Sequence, residues 1–191
     1  MIIVAGRRLT PTEVFDTYWR FAARRQQVYE ARLHGEAPPW TTDPILASYR
    51  FTNCYRAADR VSQYLIKNVI YRHDQEPEEV LFRILLFRFF NRISTWELLC
   101  STLGELTWAE FQLNRYDQVL SRASAAGGRI YSAAYVIPSP RLGAFRKHTN
   151  HLLLLQRMMR SRLSHSLSAA ASMVDAFHLL RSHPGLGDFL A

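Results

Sequence analysis

Cysteine is scarce in this sequence, and long apolar runs are missing. The 191 residues include 2 cysteines, Cys54 and Cys100, which are far apart and lack the CxxC spacing of a zinc or redox motif. We therefore expect two small buried residues of a reduced, cytoplasmic protein. The longest apolar runs, such as Leu152–Leu155, are too short to span a bilayer, and the first residues are too short for a signal peptide. No membrane partner is predicted.

Familiar catalytic motifs are also missing. The sequence contains no Gly-rich phosphate loop and no GxSxG element, and no Ser-His-Asp order can be recognised. His148 and His151 have the i, i+3 spacing that would place both on one helix face, but no nearby carboxylate or cysteine completes a metal-binding set. We therefore expect neither a metal nor another cofactor.

Acidic residues are missing from one long segment. Between Gln118 and Val174 there is no Asp or Glu. The cations of this segment are Arg122, Arg129, Arg141, Arg146, Lys147, Arg157, Arg160 and Arg162. They account for the net charge of +8, because the other 16 basic residues balance the 16 acidic ones. Such a concentration favours an anionic partner, most often nucleic acid, and the alternative is a basic surface that serves solubility.

The residues that are present indicate an all-α protein. An apolar content of 48% with 13% aromatic residues excludes disorder. The first long pattern predicts a helix with Thr10 as N-cap, Pro11 at the first helical position and Gly35 at the end. Val80–Ile93 is apolar on nearly every side, which predicts a central buried helix. No repeat or linker interrupts the chain, so we expect one domain over residues 1–191.

A second long helix is predicted from Pro44 to Tyr71. At 100° per residue, its middle part has two faces. The apolar face holds Phe51, Cys54, Tyr55, Ala58, Val61, Ser62 and Leu65. The polar face holds Asn53, Arg56, Arg60, Gln63 and Lys67, without an acid. This face is either a solvated surface or a surface shaped for an anion. Asp59, at its edge, is a candidate acceptor for Arg83 of the central helix.

The stiff loop PWTTDPIL precedes that helix. Asp43 stands directly before Pro44, which is the position of an N-cap. Alternatively, Trp40 and Asp43 line a pocket with Asn53 and Arg56. If the chain is a complete enzyme, Asp43 is the acid that we nominate as a water-activating group.

The C-terminal stretch LLRSHPGLGDFLA contains a helix followed by a Pro-Gly-x-Gly turn. Gly185 and Gly187 match the helix-hairpin-helix element of DNA repair proteins, in which backbone N–H groups approach a phosphate. The alternative is an ordinary helix end followed by a tail. Upstream, RIYSAAYVIPSP is weakly extended and predicts a short strand or an irregular segment. Aromatic residues alternate with cations here and in YWRFAARRQ. This pattern is typical either of surfaces that stack on nucleic-acid bases or of core aromatic rings beside solvated arginines.

Several stretches together carry a family resemblance. YWRFAARRQ, PWTTDPIL, YRFTNCYRAADRVSQYLI and LFRILLFRFFNRISTWE resemble the helical domain of 5-hydroxymethyl-deoxyuridine DNA kinases, which is shared with the α-glutamyl/putrescinyl thymine pyrophosphorylase family. The resemblance implies an all-α, helix-hairpin-helix DNA glycosylase-like fold. It also implies DNA carrying modified pyrimidines as the partner, in phage DNA hypermodification or in anti-phage defence. The reaction would be base excision or group transfer on an extruded base.

The resemblance also assigns residues. The base pocket would be formed by Trp40, Asn53, Arg56, Asp59, Asn91 and Trp96. The DNA backbone would be held by Arg60, Lys67, Arg146, Lys147, Arg157, Arg160, Gly185 and Gly187. In the glycosylase fold a further helix and an acidic residue follow the hairpin at 184–187, and we expect this portion to be supplied by a second polypeptide or to be lacking. In that case the chain would be a non-catalytic DNA-binding or partner-binding subunit.

Overall fold

The structure is a computed structural model that describes residues 1–134, 137–188 and 190. Its contacts divide the chain into two compact units, Met1–Ser62 (unit 1) and Gln63–Ala191 (unit 2). Helices dominate both units, which confirms the predicted all-α class. The prediction of one domain over the whole chain stays a prediction.

Unit 1 begins with a small β-hairpin that the helical patterns did not predict. The strands β1 (Ile2–Val4) and β2 (Arg7–Leu9) pair antiparallel, with Ile2 opposite Leu9. The connecting residues Ala5 and Gly6 have φ angles of 48° and 75°. Positive φ at both positions is typical of a two-residue type I′ turn, whose twist matches the strands.

Helix α1 spans Phe15–Leu33. The predicted start at Pro11 with a Thr10 cap is wrong, because Thr10 and Pro11 follow β2 without regular structure and Val14 is the N-cap. The predicted end is confirmed. Gly35 has a φ of 75°, its N–H bonds to Arg32 O, and Glu36 N–H bonds to Ala31 O, so the helix closes with a Schellman motif.

The continuous helix predicted from Pro44 to Tyr71 is wrong. Its residues form α2 (Pro44–Ser48), a 3₁₀ turn (Arg56–Ala58), α3 (Arg60–Tyr64) and a π-helical segment (Leu65–Ile70). Two short polar side chains explain the breaks. Asn53 Nδ2 donates to Ala58 O at 2.7 Å, and Asp59 Oδ1 accepts from two N–H groups at the start of α3. Local side-chain bonds of this kind compete with a helical backbone.

The two faces predicted for this helix therefore do not form. Phe51 and Tyr55, assigned to the apolar face, are 43% and 66% exposed. Cys54 is also exposed, whereas Cys100 is half-buried, and both thiols are free. The expectation that both cysteines are buried is therefore wrong for Cys54.

Unit 2 contains the helices that follow. They are α4 (Pro77–Phe90), α5 (Ile93–Leu103), α6 (Leu113–Ala125), α7 (Lys147–Arg160), α8 (Leu163–Ser168) and α9 (Met173–Arg181). The apolar core lies mainly on α4 and α7, as in Phe82, Leu86, Leu152 and Leu155, which are at most 1% exposed. The central buried helix predicted over Val80–Ile93 is thus confirmed as α4, except at its end, because α4 stops at Phe90 and Ile93 begins α5. Helix α7 is a second buried helix.

The buried guanidinium of Arg83 on α4 bonds to backbone carbonyls through two of its nitrogens, and among the described residues its Nη1 has no hydrogen-bond partner. Its Nε donates to Val69 O at 2.9 Å, and its Nη2 donates to Asp74 O. The predicted acceptor Asp59 is therefore wrong, because carbonyls of the π-helical segment and the following turn take this role. Burial lowers the pKa of Arg83, against the opposing effect of nearby carboxylates such as Glu79.

The segment 129–140 connects α6 to the turn before α7. Its described residues, 129–134 and 137–140, form no strand, so the irregular alternative holds there. Tyr135 and Val136 lie outside the described residues. Ile130 O accepts a bond from Thr95 Oγ1 of α5 at 2.8 Å, which anchors the segment within unit 2. Among the described residues, no helix is long and apolar enough to cross a membrane.

Candidate functional site

Unit 1 contains a pocket of about 680 Å³ beside α1. Residues of α1, of the proline-containing loop and of segment 46–53 line it. Its aromatic side chains are Tyr29, Trp40, Tyr49 and Phe51, and its cations are Arg25, Arg32 and Arg50. No carboxylate belongs to the lining. A pocket with flat rings and cations suits a ligand that combines a planar ring with negative charge.

Arg25 holds one wall of this pocket. Its Nη2 donates to the backbone O of Thr52, and also to Thr52 Oγ1 at 3.3 Å. Its guanidinium carbon lies 5.4 Å from the ring centre of Phe21 and 5.8 Å from that of Phe51. These contacts tie α1 to the segment that follows α2 and fix Phe51 at the pocket wall.

Trp40 is held on another wall. Its Nε1 donates to Glu36 O at 2.7 Å, and the guanidinium carbon of Arg32 lies 5.2 Å from its ring centre. The side chain remains 39% exposed. Trp40 and Asn53, which the sequence analysis placed in one pocket, both line this one. Their predicted role in binding a base stays a prediction.

Asn53 offers the pocket an unused acceptor. Its Nδ2 bonds to Ala58 O, which fixes the amide group. Among the described residues no donor reaches its Oδ1, so that oxygen can accept a hydrogen bond from a ligand.

Asp43, the acid nominated from the sequence, uses both of its carboxylate oxygens in structural hydrogen bonds. Its Oδ1 accepts from Ile45 N and Leu46 N at 3.0 and 3.3 Å, so it is the N-cap of α2. Its Oδ2 accepts from Arg24 Nη1 at 2.7 Å. The bond from Arg24 and the backbone bonds lower the pKa of Asp43. The capping alternative is thus confirmed, and a carboxylate so engaged is a weak base.

The other pocket candidates of unit 1 lie around the start of α3. Asp59 accepts from Val61 N, Ser62 N and Ser62 Oγ, each at 2.9 Å, and is the cap of α3. Arg56 Nε lies 3.8 Å from Asp59 Oδ2. Arg60 is exposed on the first turn of α3. Neither Arg56 nor Asp59 lines the 680 Å³ pocket.

The candidates of unit 2 serve its helices and its surface. Asn91 ends α4 with a φ of 47°, and its Oδ1 accepts from Arg88 Nη1 at 3.1 Å. Trp96 is 4% exposed and meets the Phe87 ring at a 62° angle. These are the contacts of a helix end and of a core side chain. Lys67 is exposed on the π-helical segment.

The predicted basic helix carries its charges at its ends. Arg146 and Lys147 lie at the start of α7, and Arg157 and Arg160 are exposed in its last turn. Between them α7 is largely buried. In the part of the chain that the structure describes, no group of three metal-binding side chains is found.

The turn at 184–187 contains two unlike glycines. Gly185 has a φ of 83°, and a Cβ there would lie 3.1 Å from Cα and Cβ of Pro140. A Cβ on Gly187 would meet no atom. The structure therefore favours glycine at position 185 and leaves space for a side chain at position 187.

The sequence-based reasoning missed the arginines of the unit 1 pocket. Arg25 lies in YWRFAARRQ, whose alternation of cations and rings was a signal, but Arg32 and Arg50 carried none. Only folding brings α1 beside the segment that follows α2.

Comparisons with known proteins decide the family. The chain matches the family described as "5-hmdU DNA kinase, helical domain" over residues 12–191. The chain belongs to this family. A curated relative, the 5-hmdU DNA kinase of Bacillus phage SP10, is 26% identical to this chain over 132 residues. That match covers 67% of this chain and 20% of the phage kinase, so the chain corresponds to about a fifth of that relative. No solved structure gives a significant match.

Proposed function

We propose that this chain binds DNA that carries a hydroxymethylated pyrimidine, and that the unit 1 pocket holds the extruded base. The observation that carries the proposal is the lining of that pocket. This lining combines aromatic rings with arginines and contains no carboxylate. Its volume of about 680 Å³ lies within the ordinary range of small-ligand sites.

The lining suits the parts of such a nucleotide. A pyrimidine ring would stack on Trp40, because base–aromatic stacking contributes about 1–3 kcal/mol per base. The arginines would attract the flanking phosphates. Asn53 Oδ1 would accept a hydrogen bond from the hydroxymethyl group of the base. A methyl group in place of the hydroxymethyl group offers no such donor, which gives the pocket a basis for preference.

Group transfer is the chemistry we favour over base excision. Both carboxylate oxygens of Asp43 are engaged, and its pKa is lowered. The phage relative is named a kinase. In a kinase reaction the hydroxymethyl oxygen attacks the terminal phosphorus of a nucleoside triphosphate. The new O–P bond replaces the bond to the departing diphosphate, and the hydroxyl proton passes to a base.

The phosphoryl donor would bind outside these 191 residues, since their sequence holds no Gly-rich phosphate loop. The chain would thus present the base, and another domain or a second polypeptide would supply the donor. The glycosylase-like helix-hairpin-helix arrangement belongs to this proposal, with the turn at 184–187 placed against the DNA backbone. A setting in phage DNA modification or in defence against phage is part of it too.

Binding to two matched duplexes tests the proposal. They differ at one position, thymine in one and 5-hydroxymethyluracil in the other, and the dissociation constants are measured by fluorescence anisotropy. We expect tighter binding of the modified duplex, and we expect Trp40→Ala to lose about tenfold in affinity and most of the preference. Trp19→Ala is the control, because Trp19 is 56% exposed on α1 and does not line the pocket.

Equal affinity of the wild-type protein for both duplexes would contradict the proposal. An equal loss in Trp19→Ala and Trp40→Ala would contradict the pocket assignment. The same samples are treated with alkali. We expect no strand breaks, and breaks confined to the modified duplex would favour base excision instead.

A further inference from the structure

A second cavity, of about 360 Å³, lies in unit 2 where α7 begins. Its floor includes Ser121 and Ser124 of α6, and its walls include Tyr131, Arg146 and Lys147. No carboxylate lines it. The cavity therefore combines two cations with hydroxyl groups, which is a donor set suited to an anion.

Arg146 is positioned by a chain of polar contacts. Its Nη1 donates to Ser121 Oγ at 2.8 Å, and the same oxygen lies 2.9 Å from His148 Nε2. His148 Nε2 is in turn 3.5 Å from Asp117 Oδ1, which also accepts from Thr149 Oγ1 at 2.5 Å. Asp117 is thereby occupied by its own neighbours. The guanidinium uses one of its five N–H donors on Ser121 and can offer others to a ligand.

Lys147 lies on the other wall. Its Nζ is 4.5 Å from the ring centre of Tyr131, and burial lowers its pKa. Within residues 1–134, 137–188 and 190, no carboxylate forms an ion pair with Lys147 or with Arg146. Two cations without counter-charges beside a cavity form a binding surface for negative charge.

The position of these cations on α7 costs the free protein stability. Arg146 is the N-cap and Lys147 the first helical residue, and the first turn contains no acid. The helix dipole is positive at this end, so it disfavours cations there. A bound anion would relieve both the repulsion between the cations and their conflict with the dipole.

Phe145 adds an aromatic surface directly before these cations. Its side chain is fully exposed, at 103%. Single-stranded nucleic acids are bound by such pairs of features, with cations at the phosphates and rings under the bases.

We propose that this cavity binds a backbone phosphate of a DNA strand and that the adjoining base stacks on Phe145. This inference rests on the proposed DNA binding of the chain but not on the unit 1 pocket. It assigns unit 2 a contact that is independent of base modification.

The test uses an unmodified single-stranded oligonucleotide and a salt series. Each phosphate contact that is lost reduces the slope of log K against log salt by about 0.7 on single strands. We expect Arg146→Gln and Lys147→Gln each to weaken binding about tenfold. Each should also reduce the slope by about 0.7, which corresponds to the loss of one phosphate contact. Phe145→Ala should weaken binding while leaving the slope unchanged. Arg122→Gln is the matched control, an exposed cation of the same acid-free segment that does not line the cavity.

Two results would overturn the proposal. One is an equal loss of slope in Arg122→Gln and in the cavity variants, which would indicate diffuse attraction. The other is displacement of the oligonucleotide by inorganic phosphate or thymidine monophosphate at equal phosphate concentration, which would indicate a site for small phosphomonoesters. Circular dichroism of each variant checks its fold.

The two proposals fail in different ways. If the cavity variants show the expected slope changes but the wild-type protein has no preference for the modified duplex, the phosphate site in the cavity is supported and the base pocket is contradicted. If Trp40→Ala loses the preference for the modified duplex while the cavity variants bind with the wild-type salt slope, the base pocket is supported and the phosphate site in the cavity is contradicted.

Discussion

The two units are packed to very different degrees. Every residue of unit 1 is described, and none of them is buried. Unit 2 contains the entire buried core, including Phe82, Leu120 and Met158 at 0% exposure. Unit 1 instead depends on helix caps, on cation–π contacts and on arginine bonds to the backbone.

The same residue type therefore does different things in the two units. Arg25 and Arg32 of unit 1 lie against rings at a pocket wall. Arg83 of unit 2 is 1% exposed and bonds to backbone carbonyls inside the core. Regions with few buried apolar contacts open more easily, and ligand-binding segments are commonly found among them. The difference suggests that unit 2 is the scaffold and unit 1 the more adaptable part.

The largest expected effect is on the core. Phe82→Ala removes a fully buried ring that packs against Trp108, Phe111 and Tyr116, so we expect a loss of about 3–5 kcal/mol in the free energy of unfolding. Phe51→Ala, in unit 1, should cost about 1 kcal/mol because that ring is already 43% exposed. Urea unfolding measures both. Similar losses in the two variants would contradict the contrast between the units.

The pH dependence should also come from unit 2. Burial lowers the pKa of His151 from 6.5 to about 4, while His34 of unit 1 is exposed. In the unfolded chain the imidazole takes up a proton below about pH 6.5, but in the folded protein it does so only below about pH 4. Stability is therefore lost as the pH falls from about 6.5 through about 4, by about 3 kcal/mol in total.

Urea unfolding at about pH 7 and about pH 4.5 measures this effect. His151→Gln should reduce the difference in stability between the two pH values, and His34→Gln should leave it as in the wild type. An unchanged difference in His151→Gln would assign the acid sensitivity to other groups.

A smaller effect should appear at the turn formed by residues 184–187 of unit 2. Gly185→Ala forces a side chain into a positive φ and against Pro140, so we expect a loss of about 1–2 kcal/mol. Gly187→Ala should change stability by less than about 0.5 kcal/mol. Thermal unfolding compares the two, and equal melting temperatures would show that the turn relaxes without cost.

The smallest effect concerns a helix cap of unit 1. Asp59→Ala removes the acceptor for the first N–H groups of α3, and we expect a loss of about 1 kcal/mol. Asp59→Asn keeps a capping oxygen and should remain close to the wild type. If the two variants melt together, the caps of unit 1 contribute less than its pocket contacts do.

The sequence predicted unit 2 better than unit 1, for a physical reason. α4 is apolar on nearly every side, and that property places it in a core. In the stretch from Pro44 to Tyr71 the helical period was present, but Asn53 and Asp59 bond to nearby backbone groups and divide it. Periodicity counts apolar positions and takes no account of such competing bonds.

The candidate site followed the same rule. Trp40 and Asn53 were named from the sequence, and both line the unit 1 pocket. For Asp43 the sequence offered two roles, a helix cap and a catalytic acid, and the structure confirms the helix cap. The pairing of Arg25 with Thr52 depends on tertiary structure and has no local signal.

The π-helical turn at Leu65–Ile70 has a consequence for how this family varies in length. A bond such as that from Tyr71 N–H to Ile66 O encloses one residue more than an α-helical turn, so deletion of one residue would let the segment close as an α-helix. The same deletion would rotate the carbonyl of Val69 by about 100° and remove it from the Nε of Arg83. We therefore expect the additional residue and the buried arginine to be retained or lost together among relatives. Relatives one residue shorter here should carry an apolar side chain in place of Arg83.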